Sequence, residues 1–153
     1  LVRTLPPFTG DYERSWEFIR NTGKPIWIYS CNPEASLPPA EFRLQSFLAW
    51  RYRLDGNCLW STLPIKLRNV PGQPNFGLVY PDAAGHWQPS RRWMQWRAGL
   101  EDYLLLTEAE KKLGRAAVEA LADEVIAARN SPQVGDVILS VRQRLLNAWD
   151  KTP

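Results

Sequence analysis

Two short, nearly continuous apolar runs, KPIWIYSC at residues 24–31 and NCLWST at residues 57–62, constrain the fold most, because each follows a stretch with helical spacing. Ahead of the first run, Tyr12, Trp16 and Ile19 recur at i, i+4 and i+7 behind an N-cap at Asp11, and Gly23 closes the turn. Between the runs, Leu44, Phe47, Leu48 and Arg51 predict a helix over residues 40–54, with Asp55-Gly56 as its stop. A short run that is apolar at consecutive positions reads as a strand buried on both faces. Helix, strand, helix, strand with short links is the layout of parallel β/α units whose sheet is covered by helices. With 153 residues the chain can bury one substantial core. It is short of the roughly 250 residues that a complete (β/α)₈ enzyme typically uses. The opening LVRTLPPFTG reads as the end of a strand running into a loop, so the chain is expected to be a portion of something longer.

The second half reads differently. From Leu63 to Pro89 runs a connection rich in proline and glycine, apolar only at LVY, and a connection of that length is expected to be a functional loop. Ser90 is placed to cap a long helix. Helical spacing continues at Leu113, Ala117, Leu121 and Val125, breaks at Asn130-Ser131-Pro132, and resumes at Val137, Val141 and Leu145. The 19 basic and 16 acidic residues are dispersed rather than blocked, which argues against a nucleic-acid footprint. Arg91, Arg92 and Arg97 interleave with Trp93 and Trp96, but helical geometry distributes them over faces that a barrel would cover. No run approaches the length of a membrane span. Cys31 and Cys58 sit in apolar segments without a ligand-spaced partner, so they read as buried free thiols, or as a disulfide if their two strands are neighbours at matching height, rather than as metal ligands, and no metal or organic cofactor is implied.

The run from Gly77 to Tyr103, GLVYPDAAGHWQPSRRWMQWRAGLEDY, resembles the C-terminal signature of the glycoside hydrolase family 123 catalytic domain, at Tyr80, Pro81, Ser90, Arg92, Arg97, Gly99, Glu101, Asp102 and Tyr103. Upstream, GKPIWIYSCNP is similar to that family's Trp-x-Tyr-x-Cys strand. Arg43 with Trp50 is similar to its Arg-to-Trp helix, and Trp60 to the Trp that ends its next strand. The resemblance covers roughly residues 15–106. It implies an α/β fold, namely the C-terminal portion of a (β/α)₈ TIM-like barrel over residues 1–106, with an added helical tail over residues 107–153. It further implies retaining hydrolysis of terminal β-linked N-acetylgalactosamine with the substrate's own acetamido oxygen as nucleophile, an exception to the two-carboxylate scheme. An extracellular or periplasmic setting goes with it. The family's adjacent Asp-Glu pair, carried by an earlier barrel strand, is absent, so the acid would lie in the missing N-terminal part of the barrel, which becomes this chain's expected partner beside the carbohydrate substrate.

Glu101-Asp102 is a tempting substitute, but the order is reversed and the pair lies well inside a helix, where pairing with Arg97 or Arg92 and docking of the helix is the expected duty. The candidate sugar-contacting residues are Trp60, Tyr29, Asn32 and Trp27. Period two puts Cys58 with Trp60 on one strand face, and Trp27, Tyr29 and Cys31 on one face of the other. Strand C-terminal ends line the active site of such barrels, so Trp60 either stacks on a sugar ring or fills the barrel mouth. Tyr29 either donates its hydroxyl to the sugar or bonds a neighbouring barrel residue. Trp16, Trp50, Trp93 and Trp96 are expected in helix-on-sheet packing. His86 and Trp87 fall in the long connection without a catalytic partner in view.

Overall fold

A computed structural model describes residues 2–3, 18–30, 39–59, 61–63 and 77–151, with side chains for those from 18 onward except Ser30 and Lys151. Strands β1 (Val2–Arg3), β2 (Trp27–Ser30) and β3 (Gly56–Leu59) form one parallel sheet in the order β1-β2-β3. Helix α1 (Ala40–Arg51) links β2 to β3. Between β1 and β2 a helical turn over residues 18–21 is described, and Gly23 follows it at φ 66°, the left-handed closure its position predicts. Within the described residues the sheet is open, with three strands and no closed barrel.

Helix α1 is the centre of the molecule. Every residue from Phe42 to Trp50 is buried, including Arg43, Gln45 and Ser46, so it is wrapped on all sides rather than lying on a surface with one apolar stripe. Ile26 and Ile28 from the sheet pack with Leu44, Phe47, Leu48 and Trp50 of α1 in one hydrophobic cluster. Each such side chain removed from water contributes about 1.5–3 kcal/mol. The helix stops at Arg51, short of the expected Asp55-Gly56, in a paired C-terminal motif: Arg53 N–H donates to the Trp50 carbonyl and Leu54 N–H to that of Ala49. The left-handed residue of that motif is Arg53, at φ 52°. Gly56 has another role, as the first residue of β3 beneath the Trp27 indole, whose ring would lie 2.3 Å from an added Cβ.

The connection before Ser90, expected as a loop, contains a hairpin. β4 (Val79–Pro81) pairs antiparallel with β5 (Trp87–Pro89) around a turn in which Gly85 adopts φ 86°. Pro81 and Pro89 hid these strands, since proline lacks a ladder donor and is tolerated only at strand ends and edges. Leu78, buried before β4, receives the Ser90 N–H on its carbonyl, which seats the start of the next helix.

Helix α2 (Arg91–Leu113) begins as expected, with the Trp93 N–H donating to Ser90 Oγ at 3.3 Å. It runs without interruption through residue 106, so the division expected between 106 and 107 crosses a continuous helix. Gly114, at φ 80°, separates it from α3 (Arg115–Ala127), and α4 (Val134–Lys151) follows the Asn130-Ser131-Pro132 break. The buried face of α3 is Val118, Ala122 and Val125 rather than the register through Ala117, because Leu113 belongs to α2 and the phase restarts after Gly114. On α4 the buried residues are Val134, Ile138, Val141 and Leu145. These helices share a single cluster with α1 and the sheet, so the tail is part of the same core. Arg115 fastens α3 to α1. Its guanidinium lies 3.9 Å from the Trp50 ring centroid and donates to the carbonyls of Trp50 and Arg51 at 3.2 and 2.8 Å. Among the described residues no helix is long and apolar enough to cross a membrane.

Candidate functional site

Ile26 and Ile28 point into the helical block, so period two puts Trp27 and Tyr29 on the opposite face of the sheet. Register adds Gly56 beside Trp27 and Cys58 beside Tyr29 on that face. Trp27 is 44% exposed there, with its indole laid across the neighbouring strand over Gly56, while Tyr29 is half-buried. Cys58 is a half-buried free thiol. The face is therefore aromatic, small and thiol-bearing, and it carries no ionisable acid or base from β2 or β3 other than the Tyr29 phenol and the Cys58 thiol.

The two described candidates sit at different heights. Trp27 and Gly56 are the first residues of their strands, whereas Tyr29 and Cys58 are two residues nearer the C-terminal ends, roughly 6–7 Å further along. A site at the C-terminal ends of the strands would meet Tyr29 first, with Trp27 flooring the other end. Trp60 and Asn32 lie outside the described residues, as do Cys31 and Trp16.

The adjacent carboxylates behave as different objects. Asp102 is 1% exposed and accepts two hydrogen bonds from Arg43, from Nε at 2.5 Å and from the second guanidinium nitrogen at 2.9 Å. Arg142 of α4 donates to the same carboxylate at 2.6 Å. One buried anion thus joins α1, α2 and α4. Neither cation is one of the arginines expected for it. Glu101 is exposed on the other side of the helix, 3.7 Å from Arg97 one turn earlier, as its spacing predicts. A general acid needs access to substrate, and Asp102 has no such access.

Three residues before Asp102, Gly99 lies where α1 and α2 cross. An added Cβ would fall 2.9 Å from the Arg43 carbonyl oxygen and from Ser46 Oγ. The Gly-x-Glu-Asp order is therefore accounted for by packing: the glycine permits close approach, and the aspartate then reaches Arg43 across the crossing. That signal was in the sequence as Arg43, Gly99 and Asp102, but their connection is spatial.

The hairpin tip is a built turn. Asp82 accepts from the backbone N–H groups of Ala84 and His86, both at 2.9 Å, and from Gln88 Nε2 at 3.2 Å. The His86 backbone N–H, with Gln88 and Ala84, holds the Asp82 carboxyl below its ordinary pKa. His86 Nδ1 lies 3.5 Å from the same carboxylate, so His86 closes the turn. Tyr80 donates its hydroxyl to the Gly77 carbonyl at 2.9 Å, and burial raises its pKa although Arg92 opposes this. Trp87 stands exposed on β5.

Of the tryptophans expected in the core, Trp50 is there. Trp93 and Trp96 instead line a groove of about 270 Å³ with Leu59, Leu78 and Leu100, and Trp96 Nε1 is buried without a hydrogen-bond partner. Among the described residues, no group of three or more His, Cys, Asp or Glu side chains is arranged to hold a metal ion. No protein-family model and no curated protein matches this chain.

Proposed function

We propose that this chain is the C-terminal portion of a (β/α)₈ glycoside hydrolase that removes terminal β-linked N-acetylhexosamine, with N-acetylgalactosamine favoured, by substrate-assisted retaining hydrolysis. The observation that carries the reading is the face of the parallel sheet turned away from the described helices, that of Trp27 and Tyr29 opposite Ile28. Parallel sheets are ordinarily covered on both faces, and in a barrel the face opposite the helices is the interior, whose C-terminal rim holds the substrate. Tyr29 and Cys58 lie on that face toward the rim. The ordered likeness from Trp27 to Tyr103 supplies the reaction class. The proton donor and the carboxylate that orients the acetamido group belong to the preceding part of the barrel. In this reading the chain's contribution to sugar contact is Trp60, Tyr29, Asn32 and Trp27.

The test uses the longer polypeptide that contains this chain, assayed with chromogenic β-N-acetylgalactosaminide and β-N-acetylglucosaminide. Hydrolysis that favours the galacto substrate is expected, with Trp60→Ala lowering kcat/KM about 10- to 100-fold, equivalent to about 1.4–2.8 kcal/mol of lost transition-state stabilisation. A rate unchanged in Trp60→Ala would remove that residue from the site. Sugar binding without turnover would make the protein a carbohydrate-binding module built on such a barrel, a reading consistent with the pairing of the chain's one adjacent Asp-Glu step, Asp123-Glu124 on α3, with Arg51 and Arg144.

A further inference from the structure

Gly56 opens β3 on the same face as Trp27, its neighbour in register. Its backbone does not call for glycine, since the described glycines with positive φ are Gly23, Gly85 and Gly114. Glycine in a strand loses backbone entropy and packs no side chain, so its use here has another origin. A Cβ at position 56 would lie 2.3, 2.5 and 2.8 Å from Cδ2, Cε2 and Cε3 of Trp27. These are contiguous atoms of the fused ring, and only an approach through the ring's face comes that close to Cδ2, which carries ring atoms on three sides. The indole therefore lies flat on β3, with one face against the Gly56 backbone. It is still 44% exposed, so its other face is open and directed away from the sheet.

We propose that Gly56 is a positioning residue for sugar contact: by letting the Trp27 indole lie flat, it turns the ring into a stacking platform and keeps the space in front of the sheet clear. This rests on the reading of Trp27 as a sugar-contacting residue. A flat indole offers its whole apolar face to the apolar face of a pyranose, whereas a ring standing on edge would fill the space that the sugar needs. Carbon atoms in contact settle about 3.5–4.0 Å apart, so a methyl group at position 56 must move the ring by more than about 1 Å. Misplacement on that scale is enough to weaken productive binding by about 100-fold. A ring laid over a strand glycine also stabilises a sheet without any ligand. The two roles differ in how the open face of the ring responds to sugar.

The experiment uses the longer polypeptide that contains this chain, carrying fluorinated tryptophan, with N-acetylgalactosamine as the probe. Fluorine NMR follows Trp27, whose resonance is the one missing from Trp27→Phe, and sugar affinity is read in parallel from broadening of the sugar's own signals. The Trp27 resonance is expected to shift as sugar is added, and half-saturation should need about 10- to 100-fold more sugar in Gly56→Ala. In a Trp27→Leu background Gly56→Ala should weaken binding no further, because the ring through which it acts is gone. A Trp27 resonance indifferent to the sugar, with Gly56→Ala changing only the urea midpoint, would make the ring a mere cover for the glycine and overturn the proposal. Unchanged affinity in Gly56→Ala would overturn it too, as would a loss that persists in full without the ring. Should Gly56→Ala fail to fold, the double variant decides: folding regained in Trp27→Leu/Gly56→Ala, with a sugar response in the unaltered polypeptide, sustains the proposal, and continued failure sinks it. None of these readouts requires hydrolysis. A responsive Trp27 in a polypeptide that cleaves nothing keeps Gly56 in its role while the proposed activity falls, and cleavage with a silent Trp27 does the reverse.

Discussion

The two sides of α2 have almost reversed chemistry. Its buried side at the α1 crossing is made of a glycine and a charged carboxylate, Gly99 and Asp102, while its outer side displays Trp93, Leu100 and Leu104 to water. Burial along this helix therefore follows the availability of a specific partner more closely than hydropathy. Gly99 is inside because another backbone passes within contact distance of it, and Asp102 is inside because two guanidiniums meet it. The large apolar residues are outside because nothing among the described elements packs on them. A side built from specific partners is intolerant of small changes, whereas a side without partners is tolerant of large ones, and substitution can measure that difference.

The largest effect is expected at Asp102. Replacing it by Asn keeps the shape but removes the anion shared by Arg43 and Arg142, leaving Arg43 charged in a site where it is 8% exposed. Breaking a buried pair from one side costs about 3–5 kcal/mol, because the remaining charge is uncompensated. Arg142 is partly exposed and can turn to water, so the lower end, about 3 kcal/mol in urea unfolding, is the expected loss. A loss under about 1 kcal/mol would mean that the carboxylate is not the fastening of the three helices.

Gly99→Ala comes next and sets two effects against each other. Alanine is the better helix former by about 1 kcal/mol, which would stabilise an isolated helix. Here its Cβ meets the Arg43 carbonyl oxygen at 2.9 Å, and that backbone atom can retreat only if α1 and α2 separate. Overpacking of this kind costs about 1–3 kcal/mol, so a net loss of about 1–2 kcal/mol in the same unfolding assay is expected. A stabilised variant would show that the crossing is looser than the contact implies.

What could be read from the sequence divides along the same line. Periodicity and punctuation placed β2, β3, α1, the Ser90 cap and the Asn130-Ser131-Pro132 break, because these depend on neighbours a few residues apart. The complete burial of α1 was hidden because Arg43, Gln45 and Ser46 look like a polar face, and only the approach of α2 encloses them. The β4–β5 hairpin was hidden by Pro81 and Pro89, and the α3 register by Gly114. For the candidate site, alternation did place Trp27 and Tyr29 on one face, opposite Ile28. The difference in height between them, and the use of Gly56 as the seat of the Trp27 ring, required the strand register.

The smallest effect is expected at Leu104, where a conspicuous sequence change should matter least. Leucine and glutamine are both good helix formers and of similar size, so Leu104→Gln alters the helix itself very little. The side chain is 64% exposed, and neither the core cluster nor its partly buried border includes it. In this chain by itself the change should therefore stay within about 0.5 kcal/mol, the usual range for surface sites. A cost of about 1–2 kcal/mol, the scale of the transfer term for a leucine, would instead mean that Leu104 has a partner within this chain, and that the contrast between the two sides is shallower than its exposure implies.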